Sequence, residues 1–173
     1  CYNMHMSKIV LPKEYLSYSA MDLWSRDKEE YRNRYYMHEP FVTTPYTEFG
    51  NKVGRALETG ELFDDVLKQV PRYSSPEHKF ELHISGVPVL GYIDSFDPET
   101  LAILEYKTGI LSKDGEEPWD RVKVRKHKQL PFYTLAVKKM YKSYNPDIDL
   151  IWMETKWSTI TQVKKFGSKY FQV

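Results

Sequence analysis

The spacing of apolar residues changes period along the chain. Up to about residue 70 it is helical. Met21, Leu23, Trp24, Tyr31, Tyr35 and Tyr36 follow Ser19, with Arg26, Lys28, Glu29 and Arg32 between them. This predicts a helix capped by Ser19 and running to about residue 37. Pro40 and Thr43-Thr44-Pro45 end it. Phe49, Val53, Leu57, Leu62, Val66 and Val70 predict a second helix over Thr47 to Val70, irregular at Gly60. Pro71 to Pro76 has loop composition. From Phe80 the period is two: Phe80, Leu82 and Ile84 alternate with Lys79, Glu81 and His83, a half-buried strand. After Ser85-Gly86, Val87 to Phe96 and Leu101 to Thr108 are apolar on both faces, as in strands covered from both sides. A polar loop over 109–120 and a basic segment, Arg121 to Lys128, lead to a helix over Leu130 to Tyr144. Pro131 sits in its first turn, and Pro146 stops it. Asp149 to Thr155 reads as a further strand, and 159–173 fits a final hairpin or a short helix.

The order is helix, helix, three strands, helix, strand. A helix linking the third and fourth strands implies a crossover, so the expected fold is α/β: a three-layer α/β/α sandwich around a central mixed sheet. The 173 residues suit a single domain over 15–173, with 1–14 a leader or cloning remnant. Charge adds little, since 25 basic and 24 acidic residues leave a net +1. Any polyanion-binding surface must therefore be local. A single cysteine, Cys1, excludes an internal disulfide and four-cysteine zinc or iron–sulfur centres, and suggests a reducing, cytoplasmic setting. No apolar run is long enough to span a membrane, and no phosphate-cradling glycine loop or nucleophile elbow is present.

The informative chemistry lies on the second and third strands. Asp97-Pro98-Glu99-Thr100 is tight-turn composition, so residues 87–108 form an antiparallel hairpin. A turn centred on Glu99–Thr100 pairs position 94 with 105; one centred on Pro98–Glu99 pairs 94 with 103. In both registers Asp94 and Glu105 are near neighbours, and Lys107 shares a face with Glu105. Two carboxylates this close remain ionised together when a cation joins them. Their oxygens suit Mg²⁺ or Mn²⁺, with the lysine placed to orient water or to stabilise a phosphoryl oxygen. The bland alternative is a salt-bridged cross-strand pair. Gln129 and Tyr133, four apart at a helix start, could contact a nucleic-acid backbone, or be a solvated glutamine and a core tyrosine. Arg121, Lys123, Arg125, Lys126 and Lys128 form a local cationic patch suited to phosphates, or a solvated loop. Trp119 and Tyr133 are candidates for stacking on single-stranded bases.

Gly91-Tyr92-Ile93-Asp94, then Leu104-Glu105-Tyr106-Lys107-Thr108-Gly109, then Gln129-Leu130-Pro131-Phe132-Tyr133 resemble the RecB-like branch of the PD-(D/E)XK nucleases over about residues 15–155. Relatives there include CRISPR-associated adaptation nucleases, phage exonucleases and the mitochondrial genome-maintenance exonuclease. The resemblance implies a restriction-endonuclease-like core and a Mg²⁺- or Mn²⁺-dependent deoxyribonuclease acting on DNA ends or single strands, of phage or bacterial type. It implies metal ligation by Asp94, Glu105 and the Tyr106 carbonyl, catalysis by Lys107, and DNA handling by Gln129 and Tyr133 beside Arg125, Lys126 and Lys128. Ser17-Tyr18-Ser19 and the helix after it resemble the family's N-terminal segment. The cysteines that hold an iron–sulfur cluster in some relatives are missing. Within Phe49 to Glu58, Gly54 stands where the family often carries a metal-binding histidine, and Glu58, one turn on, could take its place. The competing function is a nuclease-fold DNA-binding module weakened in catalysis; a protein-interaction subunit is a third.

Overall fold

The computed structural model describes residues 12–142 and 146–168; residues 1–11 of the leader expected over 1–14, the end of the helix expected to run to Tyr144, and the end of the tail lie outside them. Among the described residues, five α-helices and five strands follow one another as α1 (Tyr18–Arg26), α2 (Lys28–Tyr35), α3 (Pro45–Thr59), β1 (Ser75–Ile84), β2 (Val87–Phe96), β3 (Ile103–Gly109), α4 (Arg121–Lys126), α5 (Gln129–Tyr141), β4 (Ile148–Lys156) and β5 (Thr159–Phe166). The strands form one sheet in the order β1-β2-β3-β4-β5. β3 and β4 run parallel and the other neighbours antiparallel, so the sheet is mixed, as expected.

Both faces are covered. On one, Val124, Leu130, Tyr133, Ala136 and Val137 of α4 and α5 pack on Phe80, Ile93, Ile103, Leu150 and Trp152. On the other, Phe49, Val53, Ala56 and Leu57 of α3 pack on Leu104, Ile151 and Met153. Alternate residues of β3 and β4 therefore feed different cores, which is why those segments are apolar throughout.

Several boundaries differ from the sequence expectation, each for a local reason. The first helix is two. Asp27 closes α1 through its N–H and caps α2 through its side chain, which accepts from Glu30 N at 2.9 Å. Aspartate is a poor interior residue and a good cap. Ser17, not Ser19, caps α1, accepting from Ala20 N. The second helix starts at Pro45 behind a Thr44–Thr47 capping box and stops at Gly60, whose φ of 80° is left-handed. The apolar spacing that ran on to Val70 belongs to a short 3-10 turn, Asp65–Gln69, capped by Asp64. β1 starts at Ser75, five residues before Phe80, and all of the basic segment up to Lys126 coils into α4 under an Asp120 cap. Of the two readings of the tail the hairpin is the one found, β5 pairing with β4.

Candidate active site

β2 and β3 pair at Ser95–Leu104 and Phe96–Ile103 and then part. This is the register of a turn centred on Glu99–Thr100, placing Asp94 level with Glu105. Val89, Ile93 and Phe96 all point into the α5-side core, so β2 changes phase between Ile93 and Phe96. Asp94 falls at that slip. Its Oδ2 accepts the Tyr106 N–H at 2.7 Å, where a continuing ladder would present a β2 carbonyl. Further along the opening, Leu16 takes up the free edge of β2, bonding Pro88 and Leu90 and bringing Ser17 and Tyr18 to the site.

Glu105 is 1% exposed. Its Oε1 accepts from Lys107 Nζ at 2.5 Å, whereas Oε2 is buried with no hydrogen-bond partner among the described residues. Asp94 lies within hydrogen-bonding reach of Glu105, and burial raises its carboxyl above the usual range against the pull of the Tyr106 N–H and Lys107. Burial first, and Asp94 next, push the Glu105 carboxyl up to about 8. Burial pulls Lys107 down, but Glu105 and Asp94 outweigh it and hold the ammonium above its ordinary value. This combination, a buried carboxyl pair with one oxygen unpaired and a cation alongside, fits a hard divalent ion held by Asp94 and Glu105.

Lys107 Nζ also donates to Gln129 Oε1 at 2.9 Å, and Gln129 Nε2 donates to the Tyr133 hydroxyl at 2.8 Å. The start of α5 is therefore tied to the lysine. Both ends of the Gln129 amide are used within the protein, and Tyr133 is 5% exposed with its ring against Phe80. Of the two readings of this pair, the core tyrosine is found, since the first turn of α5 docks onto the sheet and buries the Tyr133 ring. Trp119 is half-buried and edge-on to His127. Arg125, Lys126 and Lys128 are exposed and in no ion pair among the described residues.

A cleft of about 670 Å³ opens between α3 and the sheet, with Asp94, Glu77, Tyr106, Thr108 and Met153 on one wall and Gly54, Arg55 and Glu58 on the other. A side chain added at Gly54 would meet nothing within 4 Å. Gly50, one turn earlier, permits the close approach of α3 to β3, since a Cβ there would lie 2.8 Å from Thr108 Oγ1. Glu58 is exposed at this wall. Glu77, with φ 45°, faces it from β1, and partial burial, Asp94 and Glu58 raise its carboxyl. No three acidic, histidine or cysteine groups among the described residues come together as a ready ligand set, so Glu58 and Glu77 stand at the rim while Asp94 and Glu105 form the centre. The Tyr106 side chain points away to bond the Pro71 carbonyl at 2.7 Å.

Comparison with known proteins bears on this arrangement. The family model of the PD-(D/E)XK nuclease superfamily matches residues 13–168, and the chain belongs to that superfamily. Membership makes it a phosphodiesterase-type nuclease with a nucleic-acid substrate. A solved structure of a candidate exonuclease from Eubacterium rectale is similar over 91% of this chain and 74% of that one, with a TM-score of 0.63 and 14% identity. Another solved structure, SSO0001, matches 92% of this chain and 69% of its own at 16% identity and a TM-score of 0.47. No curated protein matches significantly by sequence. No helix among the described residues is long and apolar enough to cross a membrane.

Proposed function

We propose that this protein is a divalent-metal-dependent deoxyribonuclease of the RecB-like branch, acting on DNA ends or single strands. The observation that carries the reading is the buried Asp94–Glu105 pair with one unpaired oxygen beside Lys107. Mg²⁺ or Mn²⁺ held there by Asp94, Glu105 and the Tyr106 carbonyl would supply Lewis acidity toward a phosphate and lower the pKa of water. Lys107, fixed between Glu105 and Gln129, is positioned to orient the attacking water and to neutralise charge on the phosphoryl oxygen. Gln129 and Tyr133 act through the lysine by holding its ammonium in place. Arg125, Lys126 and Lys128 supply phosphate contacts on the α4 side. Glu58 adds a carboxylate from the opposite wall of the cleft.

End-labelled linear DNA and covalently closed circular DNA, incubated with and without Mg²⁺ or Mn²⁺, test the proposal. Cation-dependent loss of the linear form with the circle spared is expected. Equal cutting of both would make the protein an endonuclease, and binding without cutting in either cation would make it a DNA-binding module. The open position at Gly54 is the observation that favours that second reading, because the helix wall there offers no ligand.

A further inference from the structure

The four tryptophans have different surroundings. Trp152 is buried, Trp119 is edge-on to His127, and Trp24 has Tyr31 at 5.1 Å and the Lys28 ammonium over its face. Trp157 is 80% exposed and makes no ring or cation contact among the described residues. It occupies the first position of the two-residue turn joining β4 to β5, where Lys156 pairs with Thr159. Its φ is 56°. A positive φ at the first position of such a turn is ordinary for glycine and strained for a bulky side chain. The residue therefore carries a strained backbone and the largest apolar side chain in water, and packing within the fold gains from neither.

The place of the turn gives these features a use. β3 and β4 run parallel, with Glu105 level with Leu150 and Thr108 level with Met153. Thr108 and Met153 line the cleft that starts at Asp94. Trp157 lies seven residues beyond Leu150, roughly 20 Å further along the strand direction. A strand of nucleic acid leaving the carboxylate pair past Thr108 and Met153 reaches the turn after several nucleotides. Exposed Lys156 precedes the ring and can take a phosphate. We propose that Trp157 is a base-stacking contact for single-stranded DNA that runs out of the cleft. This rests on the nuclease reading above and deepens it by fixing where the strand goes.

The test uses the full chain with Ca²⁺ in place of Mg²⁺, and two oligodeoxythymidylates, one of about four nucleotides and one of about fifteen. Trp157→Ala should weaken binding of the long oligonucleotide about tenfold, the order expected for one stacked base, and leave the short one unchanged. Trp157→Phe should keep most of the affinity while losing the fluorescence quenching that the long oligonucleotide causes in the parent. Trp157→Gly relieves the turn and should melt no lower than the parent, so a loss of affinity there is not a loss of fold. Equal affinity of parent and Trp157→Ala for the long oligonucleotide would overturn the proposal and leave the nuclease reading intact. So would a parent that self-associates through the turn, with Trp157→Ala monomeric and unchanged toward DNA. A parent that neither binds nor cuts DNA would overturn both.

Discussion

Replacing Glu105 by glutamine should stabilise the cation-free protein and abolish its nuclease activity. The carboxylate is 1% exposed, with one oxygen on Lys107 Nζ at 2.5 Å and the other without a partner. Glutamine keeps the shape. Its oxygen can still accept from Lys107, and its amide nitrogen can donate to Asp94, which is within reach. A stranded acceptor thus becomes a satisfied donor. Leaving a buried polar group unpaired costs about 1–3 kcal/mol, so Glu105→Gln should gain that much. For a chain of this length this is a rise in Tm of roughly 3–10 °C.

The pH dependence has a definite sign. Burial and Asp94 raise the folded pKa of Glu105 to about 8, from an ordinary value of 4.5. The folded state therefore holds this proton more tightly, and the parent loses stability as pH climbs from about 4.5 through 8. The glutamine variant does not titrate at this position, so its advantage should be small near pH 5 and full above pH 8. Mg²⁺ or Mn²⁺ should close the gap by stabilising the parent, about 2.7 kcal/mol at a hundredfold excess over Kd, with little effect on the variant. Thermal melts in chelator and in cation, at both pH values, make the comparison. A variant that melts at or below the parent in chelator at pH 8, or a cation that lifts both equally, would refute this account of the site.

Asp94→Asn should also abolish cutting while keeping the fold, because the asparagine oxygen still accepts the Tyr106 N–H; circular dichroism and end-label release check the two halves. Gln129→Leu frees Lys107 from its second anchor and should lower kcat by about ten- to a hundredfold with KM nearly constant. A raised KM at constant kcat would make Gln129 a DNA contact instead. Tyr133→Phe removes the acceptor of the Gln129 amide and should show a weaker form of the same kcat effect in single-turnover cleavage. Neutralising Lys126 and Lys128 should weaken binding to every DNA tested and flatten its salt dependence by about two phosphate contacts, read from titrations at several ionic strengths.

The sheet is legible in the sequence because β2 and β3 announce themselves by runs apolar on both faces, and the Asp97-Pro98 turn narrows the pairing to two registers. The hairpin register and the two-residue spacing of Glu105 and Lys107 bring Asp94, Glu105 and Lys107 together on paper, but the phase slip that turns the Asp94 carboxylate into the opening has no pattern in the sequence. Sequence reading fails where tertiary contacts override a local pattern. The apolar spacing from Leu62 to Val70 looks helical, but Gly60 in a left-handed conformation turns the chain out of α3 first. Gln129 and Tyr133 are correctly placed on one helix face, yet no local signal says that this face meets Lys107 and not solvent. Trp157 gives no signal in the sequence because its meaning lies in exposure and in a positive φ, and a tryptophan in a Lys-Trp-Ser-Thr string predicts neither. The bonding of Leu16 to β2 is a long-range event with no pattern in either segment.

The phase slip in β2 explains why a pair of like charges can be built into a sheet at all. In a continuous ladder, Asp94 would have its backbone bonded to β3 and its carboxylate projecting from one face. Because the strands part after Ser95–Leu104, the carboxylate turns into the opening and takes the backbone N–H of Tyr106. From there it meets Glu105 on the α5 side and opens to the cleft on the α3 side. The lysine offsets the charge of Glu105 and the peptide N–H part of that of Asp94, so the ionised pair keeps an uncompensated charge beside the unpaired oxygen of Glu105. Glu77 and Glu58 cannot relieve it, since both add negative potential from the rim. Where Glu105 has lost its proton, a cation entering from the cleft removes the imbalance, and the empty wall at Gly54 leaves that entrance wide. The same imbalance that lowers the stability of the cation-free protein is therefore what would draw the ion in, so loss of stability and gain of affinity come from one feature of β2.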